Sequence, residues 1–168
     1  PRFTYPGYLD INPMGTVPAF VDGDTTMTES AGISQYLVDR YGPSDLAVGV
    51  NEVGYGDYLN WIHRSDATLT FPQTLVLRYT VLEPEATRLP KVAEDYTKWF
   101  YSRLRSVELA TADNEFLAAN RFTIADIAVG FALHLAEKLG LAGGFKPNTA
   151  AYYERLKARP AFQKATTL

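Results

Sequence analysis

The run from Asn12 to Leu37, NPMGTVPAFVDGDTTMTESAGISQYL, leaves the chain little freedom in what it builds. Val17-Pro18 is followed by Ala19-Phe20-Val21, a short apolar stretch suited to a buried strand. Asp22-Gly23 tolerates the positive φ of a tight hairpin, and Thr25-Thr26-Met27 returns as a second strand. From Glu29 the period changes. Ile33, Leu37 and Tyr41 recur at every fourth position, the spacing of a helix. Gly42-Pro43 stops it with a C-terminal glycine and a proline that cannot continue the helix. Residues 1–43 therefore predict two antiparallel strands followed by a helix.

Three positions in this run carry chemistry. An X-Pro bond gives up little stability in the cis isomer. A cis Pro18 would turn the N–H and C=O of Val17 outward, where an extended ligand can pair with them strand to strand. Ser30 opens the helix, where free N–H groups and the helix dipole attract a carboxylate. Glu29 beside it offers a negative charge to an ammonium group. Together they suit a ligand with an amide backbone, a carboxylate and an amine. A plainer reading stands beside this one, in which Pro18 shapes a turn and Ser30 caps the helix.

Further along, the pattern is helical throughout. Residues 44–52, SDLAVGVNE, lack a period and read as a linker. The stretch 53–79 repeats Tyr55, Tyr58, Leu59, Ile62, Leu69 and Leu75, with Pro72 expected to kink or break it. A second helix is predicted from about Leu89 to Ala110, with Val92, Tyr96, Trp99, Phe100, Leu104 and Val107 on one stripe. Pro90 suits its first turn. Thr123 and Asp126 have capping-box spacing, and Phe122 and Ile127 that of a hydrophobic staple. The helix they open continues through Ala128, Phe131, Leu135 and Leu139 to Gly140. Spacing makes Asp126 a cap rather than a catalytic acid, one whose loss costs about 0.5–2 kcal/mol. Residues 148–158 and 160–166 predict two short closing helices.

Composition excludes several chemistries. With no cysteine there is no disulfide framework, no thiolate nucleophile and no redox pair. His63 and His134 stand alone on different helices, so metal catalysis has no support. A net charge of −3 with scattered Arg and Lys gives no footprint for nucleic acid. No apolar run reaches the roughly 18 residues of a membrane span.

The first motif resembles the cytosolic glutathione transferases of bacterial type. Asn12, Pro13, Gly15, Val17, Pro18, Asp22, Gly23, Glu29, Ser30, Ile33 and Tyr36-Leu37 match that family's pattern. The capping box at Thr123 and Asp126, about 90 residues further on, is a second match, similar to the start of the family's central helix. The resemblance implies an α+β chain, mostly helical. Residues 1–43 would be the ββα half of a thioredoxin-like domain, 44–52 the linker and 53–168 an all-helical bundle. It also implies glutathione as co-substrate: Val17 before a cis Pro18 would pair with its cysteinyl backbone, and Glu29 and Ser30 would hold its γ-glutamyl amine and carboxylate. Thr16 stands where many members carry Lys, Arg or Gln, so their charged contact to the glycyl carboxylate is not carried over.

On the same resemblance, Tyr58, Trp61, Ile62 and Phe71 are candidates for the pocket of a hydrophobic electrophile, against a plain core role. Asp66 is the candidate to reach glutathione across a homodimer. The family's domain begins β-α-β, with the thiol-activating Tyr, Ser or Cys near the end of its first strand. The residues before Asn12 fall short of the roughly 30 such a unit needs, so that residue is expected upstream of Pro1. The implied activity is cytoplasmic detoxification by thiol conjugation. A non-catalytic interaction module, or a glutathione-dependent isomerase, dehalogenase or ether-cleaving enzyme, remains the alternative. Glu29-Ser30 weighs toward ligand binding, since a module freed from glutathione has no need of the pair.

Overall fold

A computed structural model describes residues 5–167 and divides into two compact units, one up to Ala47 and one from Val48. The first unit opens with α1, a single turn over Tyr8–Ile11. The chain then reverses over Asn12–Gly15. The Gly15 N–H donates to the Asn12 carbonyl at 2.8 Å, and the Met14 N–H donates to Asn12 Oδ1 at 3.0 Å. Pro13 presets φ for the second place in such a turn, and Gly15 takes φ 66.

Strands β1 (Phe20–Asp22) and β2 (Thr25–Met27) pair antiparallel, Phe20 opposite Met27 and Asp22 opposite Thr25. The turn between them is thus Gly23-Asp24, one residue later than Asp22-Gly23. Gly23 has φ 58 and Asp24 is not left-handed, the pattern of a II′ turn with glycine first. Asp22 is left free to accept from the Tyr41 hydroxyl at 2.5 Å and the Tyr36 hydroxyl at 2.9 Å. These bonds, Tyr41 foremost, hold its carboxyl below the ordinary range.

Helix α2 (Ser30–Arg40) buries Ile33 and Val38. The helix expected from the spacing of Ile33, Leu37 and Tyr41 is present, with Leu37 and Tyr41 exposed. Tyr41 turns to Asp22 instead. Gly42 follows the end of the helix as expected, with a φ that is not positive. Glycine is needed there for close approach: a Cβ would sit 2.6 Å from the Val38 carbonyl oxygen. The Val17–Pro18 and Gly42–Pro43 peptides are both cis.

The second unit is helical. Helix α3 (Tyr55–Arg64) passes into a π-helical segment, Ser65–Thr70, then α4 (Phe71–Leu77) and a second π segment, Arg78–Leu82. Pro72 does not break this path. Its ring would strike the carbonyl four residues back, and it has no N–H to give. The wider π turn relieves both, and the Phe71 N–H reaches back five residues to the Asp66 carbonyl. Helix α5 spans Pro90–Ala110 with Pro90 in its first turn, and it buries Ala93, Phe100, Leu104 and Val107.

Helix α6 (Ile124–Lys138) carries the core. Its buried face is Ile124, Ala125, Val129, Ala132, Leu133 and Ala136, alanines alternating with branched aliphatic side chains. A Cβ on Gly130 would meet Leu156 Cδ1 at 3.0 Å. The helix runs through Phe131 as expected, and that ring is 57% exposed. Phe122 packs edge-on against Phe116 at 5.8 Å and under the Arg159 guanidinium at 3.5 Å, while Ile127 is exposed. Helices α7 (Pro147–Lys157) and α8 (Pro160–Thr166) close the chain. Glu108 of α5 caps α7, accepting from the Thr149 N–H at 2.8 Å and the Asn148 N–H at 3.3 Å. Among the described residues no helix is long and apolar enough to cross a membrane.

Candidate functional site

In the first unit the hairpin links the two halves of the candidate site. Val17 sits on the approach to β1 and is 63% exposed. Its backbone makes no hydrogen bond with another described residue. Glu29 ends the approach from β2 in an extended conformation, φ −99 and ψ 115, and becomes the N-cap of α2. Ser30 is the first helical residue. The plainer reading made its hydroxyl the cap, yet no side-chain bond caps this helix. The first N–H to bond back is that of Ile33, to the Glu29 carbonyl at 2.8 Å. The N–H groups of Ser30, Ala31 and Gly32 therefore stand open among the described residues, at the positive end of the α2 dipole. Glu29 and Ser30 are both exposed.

The second unit treats its candidates unequally. Tyr58, Trp61 and Ile62 are no more than 5% exposed and belong to the core. Only Phe71 offers surface, at 47% exposed, and it forms an open aromatic cluster with Tyr96 and Trp99 at 6.3 and 6.1 Å. The resemblance named all four side chains, but the sequence does not say which face of the helix is covered. Asp66 is exposed on the first π segment. An open cleft of about 460 Å³ lies elsewhere, lined by Glu52, Val53, Gly54, Asp57, Ala119 and Asn120.

Asp126 is more than a cap. The box is present: the Ala125 N–H donates to Thr123 Oγ1 at 3.2 Å, and the Thr123 N–H donates to Asp126 Oδ2 at 2.9 Å. The same carboxylate also accepts from the Leu117 N–H at 3.0 Å and the Tyr152 hydroxyl at 2.8 Å. It is wholly buried, and burial pushes its pKa up against the pull of these donors. Burial likewise pushes the Tyr152 hydroxyl far up. Leu117 and Tyr152 lie 9 and 26 residues away, so no local spacing announces them. Among the described residues no cluster of His, Cys, Asp or Glu is placed to hold a metal.

Comparison with known proteins decides the family. A family model described as glutathione S-transferase, N-terminal domain, matches residues 3–45, and one for the C-terminal domain matches residues 78–160. Glutathione S-transferase 3 of Zea mays is 31% identical over 95% of this chain and 74% of its own length. GstA of Escherichia coli O157:H7 is 32% identical, over 94% of this chain and 76% of its own.

The chain belongs to the glutathione S-transferase family.

The fold agrees. Glutathione transferase URE2P6 of Phanerochaete chrysosporium, solved in complex with oxidized glutathione, superposes with a TM-score of 0.82 at 27% identity, over 97% of this chain and 77% of that one. The small sheet with α2 lies within the match to the N-terminal domain and makes the ββα half of a thioredoxin-like domain, while α5, α6 and α7 lie within the match to the C-terminal domain.

Proposed function

We propose that this glutathione transferase holds the tripeptide through Val17, Pro18, Glu29 and Ser30 and conjugates its sulfur to a small hydrophobic electrophile. The observation that carries the assignment is the start of α2. Among the described residues, three successive N–H groups and a hydroxyl stand without partners there, beside an exposed carboxylate. Such a helix start suits an anion. The γ-glutamyl carboxylate takes it, the neighbouring ammonium takes Glu29, and the open Val17 backbone pairs with the cysteinyl residue. Asp66 supplies a further contact to that ammonium across a homodimer, and Phe71 offers an apolar surface to the electrophile.

The thiol gives up its proton to water, and the thiolate sulfur attacks the electrophilic carbon. A carbon–sulfur bond forms as the leaving group departs with its electron pair. None of the residues named here removes the proton. Their work is to fix the tripeptide so that sulfur and carbon meet in one geometry, an effective-molarity gain. We place this activity in the cytoplasm, in detoxification of electrophiles.

Retention on immobilised glutathione, with conjugation of 1-chloro-2,4-dinitrobenzene as the activity readout, tests the site. Ser30→Ala removes a hydrogen bond to a charged group, so glutathione affinity should fall about 10- to 100-fold. The unfolding midpoint should not move, because the hydroxyl caps nothing. Equal retention of the two proteins refutes the assignment.

A further inference from the structure

The carbonyl of Thr16 is held by donors from two elements. The Tyr8 hydroxyl donates to it at 2.6 Å from α1, and Asn12 Nδ2 donates to it at 2.8 Å from the turn. Asn12 is buried, and its amide is fixed at both ends. Its Nδ2 also donates to Thr16 Oγ1 at 3.2 Å, while its Oδ1 accepts the Met14 N–H. These donors all secure one peptide plane. The Thr16–Val17 peptide is trans, and in a planar trans peptide the C=O and the following N–H point in opposite directions. Holding the Thr16 oxygen toward Tyr8 and Asn12 therefore aims the Val17 N–H the other way. That N–H meets no described partner.

We propose that Tyr8 and Asn12 are positioning residues: by clamping the Thr16 carbonyl they set the direction of the Val17 N–H that pairs with the cysteinyl carbonyl of glutathione. The proposal rests on the glutathione reading above. Neither side chain touches the ligand. Their contribution is to order the loop peptide in advance, so that binding does not have to.

Tyr8→Phe tests it, because it removes one hydroxyl and keeps the ring. The full chain and the variant are titrated with glutathione and with an analogue whose cysteinyl carbonyl is reduced to a methylene. The variant should bind glutathione about three- to tenfold more weakly, the worth of one hydrogen bond. It should bind the reduced analogue as well as the wild type does, since that ligand has nothing to accept the Val17 N–H. In turnover, KM for glutathione rises by the same factor while KM for 1-chloro-2,4-dinitrobenzene stays unchanged. Equal glutathione affinity in the two proteins overturns the proposal, as does an equal loss for both ligands. A wild type that binds no glutathione overturns the parent reading with it, a result distinct from either.

Discussion

Replacing Asp126 with alanine separates a helix cap from a core network. If the carboxylate only capped α6, its loss would match that of any capping residue, about 0.5–2 kcal/mol. The structure argues for more. Alanine removes the acceptor from the Thr123 N–H, the Leu117 N–H and the Tyr152 hydroxyl at once, in a wholly buried site. An orphaned buried donor costs about 1–3 kcal/mol. Part of that sum is returned, because a buried carboxylate no longer has to be desolvated. The net loss should be about 3–5 kcal/mol, the range for breaking a buried charged network. In a chain of 168 residues this lowers the midpoint by about 6–20 °C. Urea unfolding at constant m-value measures it, with Thr123→Ala, which removes the Oγ1 cap and only one donor to the carboxylate, as the comparison at about 0.5–2 kcal/mol. An Asp126→Ala loss no larger than the control refutes the network.

The same carboxyl gives the difference a pH dependence. Its folded pKa is raised above the unfolded one, chiefly by burial. Between the two values the folded chain keeps a proton that the unfolded chain has lost. Wild-type stability relative to Asp126→Ala therefore falls as pH climbs from about 4 through the raised folded value. A difference that grows with rising pH would contradict the sign.

Three further substitutions probe the helical unit. Gly54 has φ 93, and a Cβ there would lie 2.9 Å from the Ala119 backbone nitrogen. Gly54→Ala should lose about 2–5 kcal/mol in urea unfolding from strain plus overpacking, and an unmoved midpoint refutes this. Gln73 is wholly buried, with its Nε2 on the Leu69 and Ala132 carbonyls at 3.0 Å each and its Oε1 unpaired. Gln73→Met trades those two bonds for relief of an orphaned acceptor, so it should stay within about 1 kcal/mol of wild type. Leu69→Ala beside it should lose about 2–5 kcal/mol. A Gln73→Met loss in that same range would show that the amide pair, not the packing, holds α4 to α6.

What could be read in advance was what depends on neighbours within about one helical turn. Pro90 in the first turn of α5, the Thr123–Asp126 box and the two closing helices each follow from spacing of one to four residues, and each is present. The misses come where packing chooses between faces. Phe131 and Ala132 are adjacent and both apolar, yet the small one is buried and the ring exposed, a choice of face that local spacing does not contain. Pro72 misled for a related reason: the chain absorbed it by widening a turn, an option that single-residue propensity does not contain.

The candidate site divides along the same line. Glu29 and Ser30 were legible because a change of period marks a helix start, and the start of a helix has chemistry of its own. Val17 was legible only as the residue before a proline. What aims its N–H is a tyrosine eight residues earlier and an amide folded back over its own turn. Asn12 thus does two jobs with one side chain: its oxygen closes the turn, and its nitrogen grips the peptide that faces outward. Replacing it would confuse the two. Tyr8 touches only the second, so the hydroxyl of Tyr8 is where loop shape and ligand binding can be separated by experiment.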